Sequence, residues 1–278
     1  MTASKIAIAF PTGPCFGVGR ALDVTKEVLK RKRPVYMLHP LIHNPRVVRE
    51  LQQQGVVISP PEDIPEGGTV ILSAHGTPLE IKNILGKKRA NIIDAVCPLV
   101  EHLHRKAKEL IDEGRFLIIV ADPHHQETLA LVSHLPNGKY VFYKDLDKAP
   151  RGIPIGVVFQ TTYEYAKVPD VLKDIYTISD DIRIVNTICP ATRGRQGVID
   201  RVGSKYDFIV VVGGKNSANT KRLYEKAKSY TAAIWIEKAD DIDDESIKDY
   251  RNILIVGGAS TPVEHLIEVY LHFKKVIQ

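Results

Sequence analysis

Short apolar runs alternate with longer amphipathic segments along almost the whole of this 278-residue chain, which is the patterning of an α/β protein. KIAIAF at 5–10 predicts a strand. The segment 17–32 predicts a helix, because Ala21, Leu22, Val24, Thr25, Val28 and Leu29 fall at helical spacing. Strands follow at PVYML (34–38), VVIS (56–59), TVILSA (69–74) and NIIDA (91–95), separated by helical segments near 45–54 and 78–88. A helix is expected after residue 97, running to about 113 and stopping at Gly114. Further strands are predicted at FLIIVA (116–121), YVFY (140–143), IGVVFQ (155–160), RIVN (183–186), DFIVVVG (207–213), AAIWIE (232–237) and NILIVGG (252–258), with a last helix from Pro262 to about Lys275.

The cysteines divide this pattern. There are three, Cys15, Cys97 and Cys189, each following an apolar run at a place where a helix can begin. They lie 82 (97 − 15) and 92 (189 − 97) residues apart. Four strands fall between the first two and four between the second two; three follow Cys189, and the orphan N-terminal strand completes a third set. The expected architecture is three similar α/β modules, 15–97, 98–188 and 1–14 together with 189–278, the start of the chain returning to join its end. Each module would bring one cysteine to a shared centre.

Composition changes this picture little. Hydrophobic residues make up 44% and charged residues 26%, as in an ordinary globular protein. The net charge of +5 suits an anionic ligand but is too small, with no aromatic-basic face, to point to nucleic acid. No apolar stretch approaches the roughly 18 residues of a membrane span. An odd number of widely spaced cysteines makes a poor disulfide framework, so a reducing, cytoplasmic home is expected.

Three thiolates from distant points suit zinc, an iron–sulfur cluster, or no metal at all, and a buried structural role is the commonest fate of an isolated cysteine. Structural zinc usually takes four ligands in short paired spacings, and none occur here. A cubane held by three cysteines leaves one iron open, and the prolines and glycines beside these cysteines let backbone approach it. A second set of residues lies at strand ends: Ser73 to Thr77, Gln160 to Thr162, Gly213 to Thr220 and Gly257 to Pro262. Singly these are ordinary helix caps; together they would line a cleft with donors for a phosphate or diphosphate, to which His43 and His75 could add. In DPHHQET, Glu127 follows His125 by two positions directly after a strand. Such a carboxylate either starts a helix or supplies protons to a reaction.

Taken in order, GPCFGVGRA, LIHNPRVV, SAHG, DAVCPLV, HHQE, QTT, ICPATRGRQ, VVGGKNSANTKRL and GGASTP make the chain resemble the 4-hydroxy-3-methylbut-2-enyl diphosphate reductases, the last enzymes of the non-mevalonate isoprenoid pathway. The resemblance implies three pseudo-threefold-related α/β modules, each with a mostly parallel four-stranded sheet, around a [4Fe-4S] cluster held by Cys15, Cys97 and Cys189. It implies that His43, His75, Ser217, Ala218, Asn219 and Ser260 bind the diphosphate, that His125 and Thr161 position the substrate and its hydroxyl, and that Glu127 donates the proton. Two electrons, one at a time from ferredoxin or flavodoxin, and two protons would convert the allylic alcohol diphosphate to isopentenyl and dimethylallyl diphosphate plus water.

The sequence departs from that family at three points. His-Pro-Glu-Val followed by glycines becomes His125-Gln126-Glu127-Thr128-Leu129-Ala130; a serine pair becomes Ser217-Ala218; and a Glu before the Val-His-Asn motif becomes Pro40. Three alternatives follow: a divergent member acting on another allylic diphosphate, a cluster-bearing redox sensor or binding protein without turnover, and a redox-neutral dehydratase.

Overall fold

The structure, a computed structural model, describes residues 5–277. Twelve strands in these residues build three sheets of four, and every pairing is parallel. The first sheet holds β1 (Lys5–Ile8), β10 (Phe208–Val212), β11 (Ala232–Ile236) and β12 (Asn252–Gly257) in the order β1-β12-β10-β11. The second holds β2 (Val35–Met37), β3 (Val56–Ile58), β4 (Thr69–Leu72) and β5 (Asn91–Asp94) as β3-β2-β4-β5; the third holds β6 (Phe116–Val120), β7 (Tyr140–Phe142), β8 (Ile155–Phe159) and β9 (Ile182–Ile184) as β7-β6-β8-β9. The N-terminal strand does return, pairing with β12 in the register Lys5 to Asn252 through Ile8 to Ile255.

The helices are α1 (Phe16–Arg31), α2 (Pro45–Gln53), α3 (Leu79–Lys87), α4 (Pro98–Asp112), α5 (Gln126–Val132), α6 (Val168–Tyr176), α7 (Pro190–Val202), α8 (Ala218–Lys228), α9 (Asp244–Ile247) and α10 (Val263–Val276). The apolar runs are continuous because the central strands are covered on both faces. In β10, Ile209 and Val211 meet Val198 and Ile199 of α7 and Leu223 of α8, while Phe208, Val210 and Val212 meet Leu266, Val269 and Phe273 of α10. In the third sheet, Leu117, Ile119 and Val158 pack on Leu103, Ala107 and Leu110 of α4 and Leu131 of α5; Ile118, Val120, Val157 and Phe159 pack on Val171 and Ile175 of α6. Each such side chain contributes roughly 1.5–3 kcal/mol through burial.

Strand positions follow the apolar runs, trimmed at their ends. RIVN at 183–186 shifts back, with β9 ending at Ile184. The cause is Asn186, whose Oδ1 accepts from the Ile188 N–H at 3.2 Å and turns the chain out of the ladder.

Two compact units result, one of Met1–Gly19, Ile42–Gln53 and Pro190–Gln278, the other of Arg20–Leu41 and Gln54–Cys189. The first sheet lies in the former, the second and third in the latter. With all pairings parallel, the loops that leave each sheet's carboxyl ends emerge on one edge of that sheet, where α/β proteins bind their ligands.

Candidate active site

Each sheet has an edge strand that leads to a cysteine: β1 to Cys15, β5 to Cys97 and β9 to Cys189. Each cysteine donates its N–H to a carbonyl in the loop after the neighbouring strand. Cys15 reaches Ala259 after β12 at 2.9 Å, Cys97 reaches Ala74 after β4 at 3.0 Å, and Cys189 reaches Thr161 after β8 at 2.8 Å. The three cysteine loops are thus built to one plan, and that plan is visible in the sequence. Asp94 Oδ1 accepts from the Val96 N–H at 3.0 Å as Asn186 Oδ1 does from Ile188, a turn placed three residues before Cys97 and before Cys189. PTGPC cannot make it, because Pro14 has no N–H; Gly13, at φ +73°, supplies the bend instead.

Pro98 and Pro190 take the first positions of α4 and α7, where a missing N–H costs nothing. Cys97 stands at the N-cap position of α4. All three cysteines are partly exposed residues, and none is in a disulfide. Among the described residues no group of three or more His, Cys, Asp or Glu side chains is placed to hold a single metal ion.

In the unit that carries the second and third sheets, the loop after β6 brings His125 to the start of α5, where its Nδ1 accepts from the Glu127 N–H at 3.2 Å. Glu127 is 1% exposed. Its Oε1 accepts from the Thr161 N–H at 2.7 Å and its Oε2 from the Thr161 hydroxyl at 2.5 Å. Because Thr161 also accepts from the Cys189 N–H, one run of hydrogen bonds joins a buried carboxylate to a cysteine loop. Gln160 braces the same corner, accepting from the Asp122 N–H at 3.1 Å and donating to the Thr162 hydroxyl at 2.9 Å. The His75 ring stands edge-on to His125, centroids 6.1 Å apart.

The other unit brings together His43, Ser217, Asn219 and Ser260. The Ser260 hydroxyl donates to the His43 carbonyl at 3.2 Å, and Asn44 Nδ2 donates to the Ser260 carbonyl at 3.0 Å. Asn44 Oδ1 also accepts from Arg46 and Val47 N–H groups, starting α2. Gly214 lies so close that a Cβ there would be 2.5 Å from the His43 carbonyl oxygen; only glycine fits. Ser217 caps α8, its Oγ accepting from the Thr220 N–H at 3.2 Å. The Asn219 side chain is buried, and both its Oδ1 and Nδ2 lack a hydrogen-bond partner. Buried amides are rarely left so, and this one suits a polar ligand. Burial holds the His43 imidazole below its usual pKa, which favours a neutral ring at pH 7.

Two features escaped the sequence reading. Trp235 donates its indole N–H to the Gly213 carbonyl at 2.8 Å, anchoring the start of the Gly213–Thr220 loop; nothing in AAIWIE signals it. His104 on α4 lies against Gly76, and burial, with His134 and Lys82, holds its ring to a pKa of about 4. Its spacing of four from Val100 was the available signal, placing a histidine on the packed face of the helix.

These features define a class: a parallel α/β protein with one cysteine at an edge strand of each sheet and its polar chemistry at strand ends. The chain belongs to the LytB protein family, whose model matches residues 6–274. It is 36% identical over 264 residues to the 4-hydroxy-3-methylbut-2-enyl diphosphate reductase of Aquifex aeolicus, covering 92% of this chain and 91% of that one. It is 34% identical to the enzyme of the same name from Dictyoglomus turgidum over 274 residues, covering 98% and 97%. Two solved structures are similar. One is of (E)-4-hydroxy-3-methyl-but-2-enyl diphosphate reductase, the terminal enzyme of the non-mevalonate pathway (TM-score 0.73, 35% identity, 98% and 99% of the chains). The other is of the E-1-hydroxy-2-methyl-but-2-enyl-4-diphosphate reductase from Plasmodium falciparum (TM-score 0.89, 28% identity, 95% and 86%).

Proposed function

We propose that this chain is an iron–sulfur oxidoreductase that removes the hydroxyl of (E)-4-hydroxy-3-methylbut-2-enyl diphosphate, using two electrons and two protons to give isopentenyl and dimethylallyl diphosphate and water. The observation that carries this reading is the buried Glu127 carboxyl held by Thr161, which in turn is bonded to the Cys189 loop. A buried carboxyl tied to a cysteine loop supports this reading, because a reductive dehydroxylation needs a proton held at that kind of position.

Cys15, Cys97 and Cys189 suit the [4Fe-4S] cluster that the family implies. Their main-chain N–H groups are already satisfied, the three residues are partly exposed, and three thiolates leave one cluster position for substrate. The cluster, when bound, supplies the electrons one at a time. Everything else falls to the chain's own residues. Asn219, Ser217, Ser260 and His43, with the α8 amino end at Ala218, hold the diphosphate. His75, His125 and Thr161 orient the alcohol end. Glu127 holds the proton that departs with the hydroxyl as water, and its burial keeps bulk solvent from competing. In this reading the working modules are 15–97, 98–188 and 1–14 with 189–278, each giving one cysteine. The electron donor is a ferredoxin or flavodoxin and the setting is the cytoplasm; no described helix is long and apolar enough to cross a membrane.

One observation favours a second reading. Gln126 and Thr128, on either side of Glu127, each bury an oxygen that has no hydrogen-bond partner. Extra polar capacity there suits an allylic diphosphate with a further polar group. Anaerobic protein with its cluster intact should oxidise reduced methyl viologen when given the hydroxybutenyl diphosphate. If no viologen is consumed, the proposed reaction is wrong; if product forms without a reductant, the chemistry is a redox-neutral dehydration.

A further inference from the structure

Two arginines reach into cysteine loops, and the reaction above gives neither a task. Arg20 lies on α1, five residues past Cys15 (20 − 15), and its Nη1 donates to the Val96 carbonyl at 3.0 Å. Val96 directly precedes Cys97, and its own N–H is bonded to Asp94 Oδ1. The residue before Cys97 is therefore held at both its N–H and its carbonyl. Arg195 lies on α7, six residues past Cys189 (195 − 189), and is 3% exposed. Its Nη2 donates to the Gly13 carbonyl at 2.5 Å. Gly13 stands two residues before Cys15, at φ +73°, where a Cβ would come within 2.7 Å of Val263. In both cases the helix that follows one cysteine carries an arginine to the loop of another.

The third loop is held differently. Five and six residues past Cys97, α4 carries His102 and Leu103. Thr187, two places before Cys189, uses its hydroxyl instead: it accepts from the Phe159 N–H at 2.8 Å and donates to the Phe159 carbonyl. A neutral side chain is thus enough to pin such a loop. Burying a guanidinium costs desolvation, so its charge calls for a reason beyond the hydrogen bond. A cluster held by three thiolates provides one. It is anionic, and fixed positive charge around it favours the reduced form.

We propose that Arg20 and Arg195 are positioning residues for Cys97 and Cys15, fixing the two loops that present these thiols and placing a positive charge at each. The inference rests on those cysteines being cluster ligands. Arginine suits both tasks, because its planar fork fixes direction while its charge is permanent. The three ligands are then unequal: two sit in loops bonded to a cation, and the third, Cys189, in a loop pinned by a hydroxyl.

The test centres on Arg20, which is only partly buried, so that its variants should fold. Redox titration of cluster-loaded protein compares wild type, Arg20→Met and Arg20→Lys. Arg20→Met should move the cluster's midpoint potential negative, lowering the reduced-to-oxidised ratio at a fixed applied potential about threefold or more. Arg20→Lys keeps the charge and should hold that ratio within about twofold of wild type. A methionine variant with the wild-type potential, or a lysine variant no closer to wild type than methionine, overturns the proposal. Arg195→Gln keeps a buried donor for the Gly13 carbonyl without the charge, and should also titrate more negative; a wild-type potential there removes Arg195 from the role. Amide hydrogen exchange on cluster-free protein gives an independent readout. The Val96 and Cys97 amides, bonded to Asp94 and Ala74, should exchange faster in Arg20→Met, and unchanged exchange overturns the positioning role. Wild type that takes up no iron on anaerobic reconstitution would sink the cluster assignment instead, and exchange alone would then decide whether Arg20 fixes the loop.

Discussion

Thr161 holds both carboxylate oxygens of Glu127, one through its main-chain N–H at 2.7 Å and the other through its hydroxyl at 2.5 Å. The two donors differ in what a substitution can reach. Thr161→Val keeps the N–H and the side-chain shape but removes the hydroxyl, leaving one oxygen of a buried carboxyl without this donor. Loss of a hydrogen bond to such a group should lower unfolding stability by about 1.5–3 kcal/mol. Denaturant titration of the two proteins measures this; equal midpoints would mean that the hydroxyl is not engaged with Glu127.

Replacing Glu127 by glutamine separates geometry from chemistry. The amide oxygen of Glu127→Gln can still accept from the Thr161 N–H, and its amide nitrogen can donate to the Thr161 hydroxyl, which then turns. Folding and substrate binding should persist. The rate should fall by about 10²–10⁴, the usual worth of a positioned proton donor. Single-turnover measurement with pre-reduced protein reads this directly, and an unchanged rate would remove Glu127 from its role.

The cysteine loops allow a similar separation. The main-chain N–H groups of the three cysteines hold the loops to Ala259, Ala74 and Thr161, and none of the three sulfurs is in a disulfide. A change confined to sulfur should therefore spare the fold. Cys97→Ser and Cys189→Ser are expected to keep near-wild-type thermal unfolding when cluster-free, yet to lose iron and turnover after anaerobic reconstitution. Full iron content in either variant would refute its assignment as a ligand.

Much of this was legible in the sequence, for identifiable reasons. The strands could be found because parallel sheets covered on both faces need unbroken apolar runs, and the return of KIAIAF to the last strands followed from counting runs between cysteines. Two of the three cysteine turns are visible as a short polar residue three places before Cys-Pro. Strand order was not legible, since continuous runs such as FIVVV and FLIIV are interchangeable by pattern alone. Nor could pattern show that Thr161, rather than a solvent molecule or an arginine, satisfies Glu127. That pairing depends on two loops after adjacent strands, β6 and β8, whose proximity exists only in the assembled sheet. The contacts of His104 and Trp235 were hidden for the same reason.

Asn219 offers a prediction in which stability and function move apart. Both polar atoms of its buried amide lack hydrogen-bond partners within the protein, which costs free energy. Asn219→Leu should therefore leave thermal stability equal to or above that of wild type. Affinity for the diphosphate should fall, by about 1.5–3 kcal/mol if the amide contacts a charged oxygen. Calorimetric titration with inorganic diphosphate, beside a melting curve, measures both. A destabilised variant with unchanged affinity would show that the amide serves the fold.

The last prediction concerns acid. The His104 ring, pressed by burial, His134 and Lys82, titrates at about 4 in the folded protein against a usual value of 6.5. Above pH 6.5 the ring is neutral in both folded and unfolded chains and contributes no pH dependence. As pH falls from 6.5 toward 4, the unfolded chain takes up a proton that the folded state refuses, so stability is lost across that window and levels off below it. A displacement of that size corresponds to about 3 kcal/mol at most, and to less for a ring that keeps some solvent contact. His104→Gln removes the titration. Its unfolding free energy should decline less steeply than that of wild type between pH 6.5 and 4.5, whatever its absolute value. Parallel slopes in the two proteins would mean that another group governs acid unfolding, His43, His134 and His265 being the other histidines whose pKa burial pulls down.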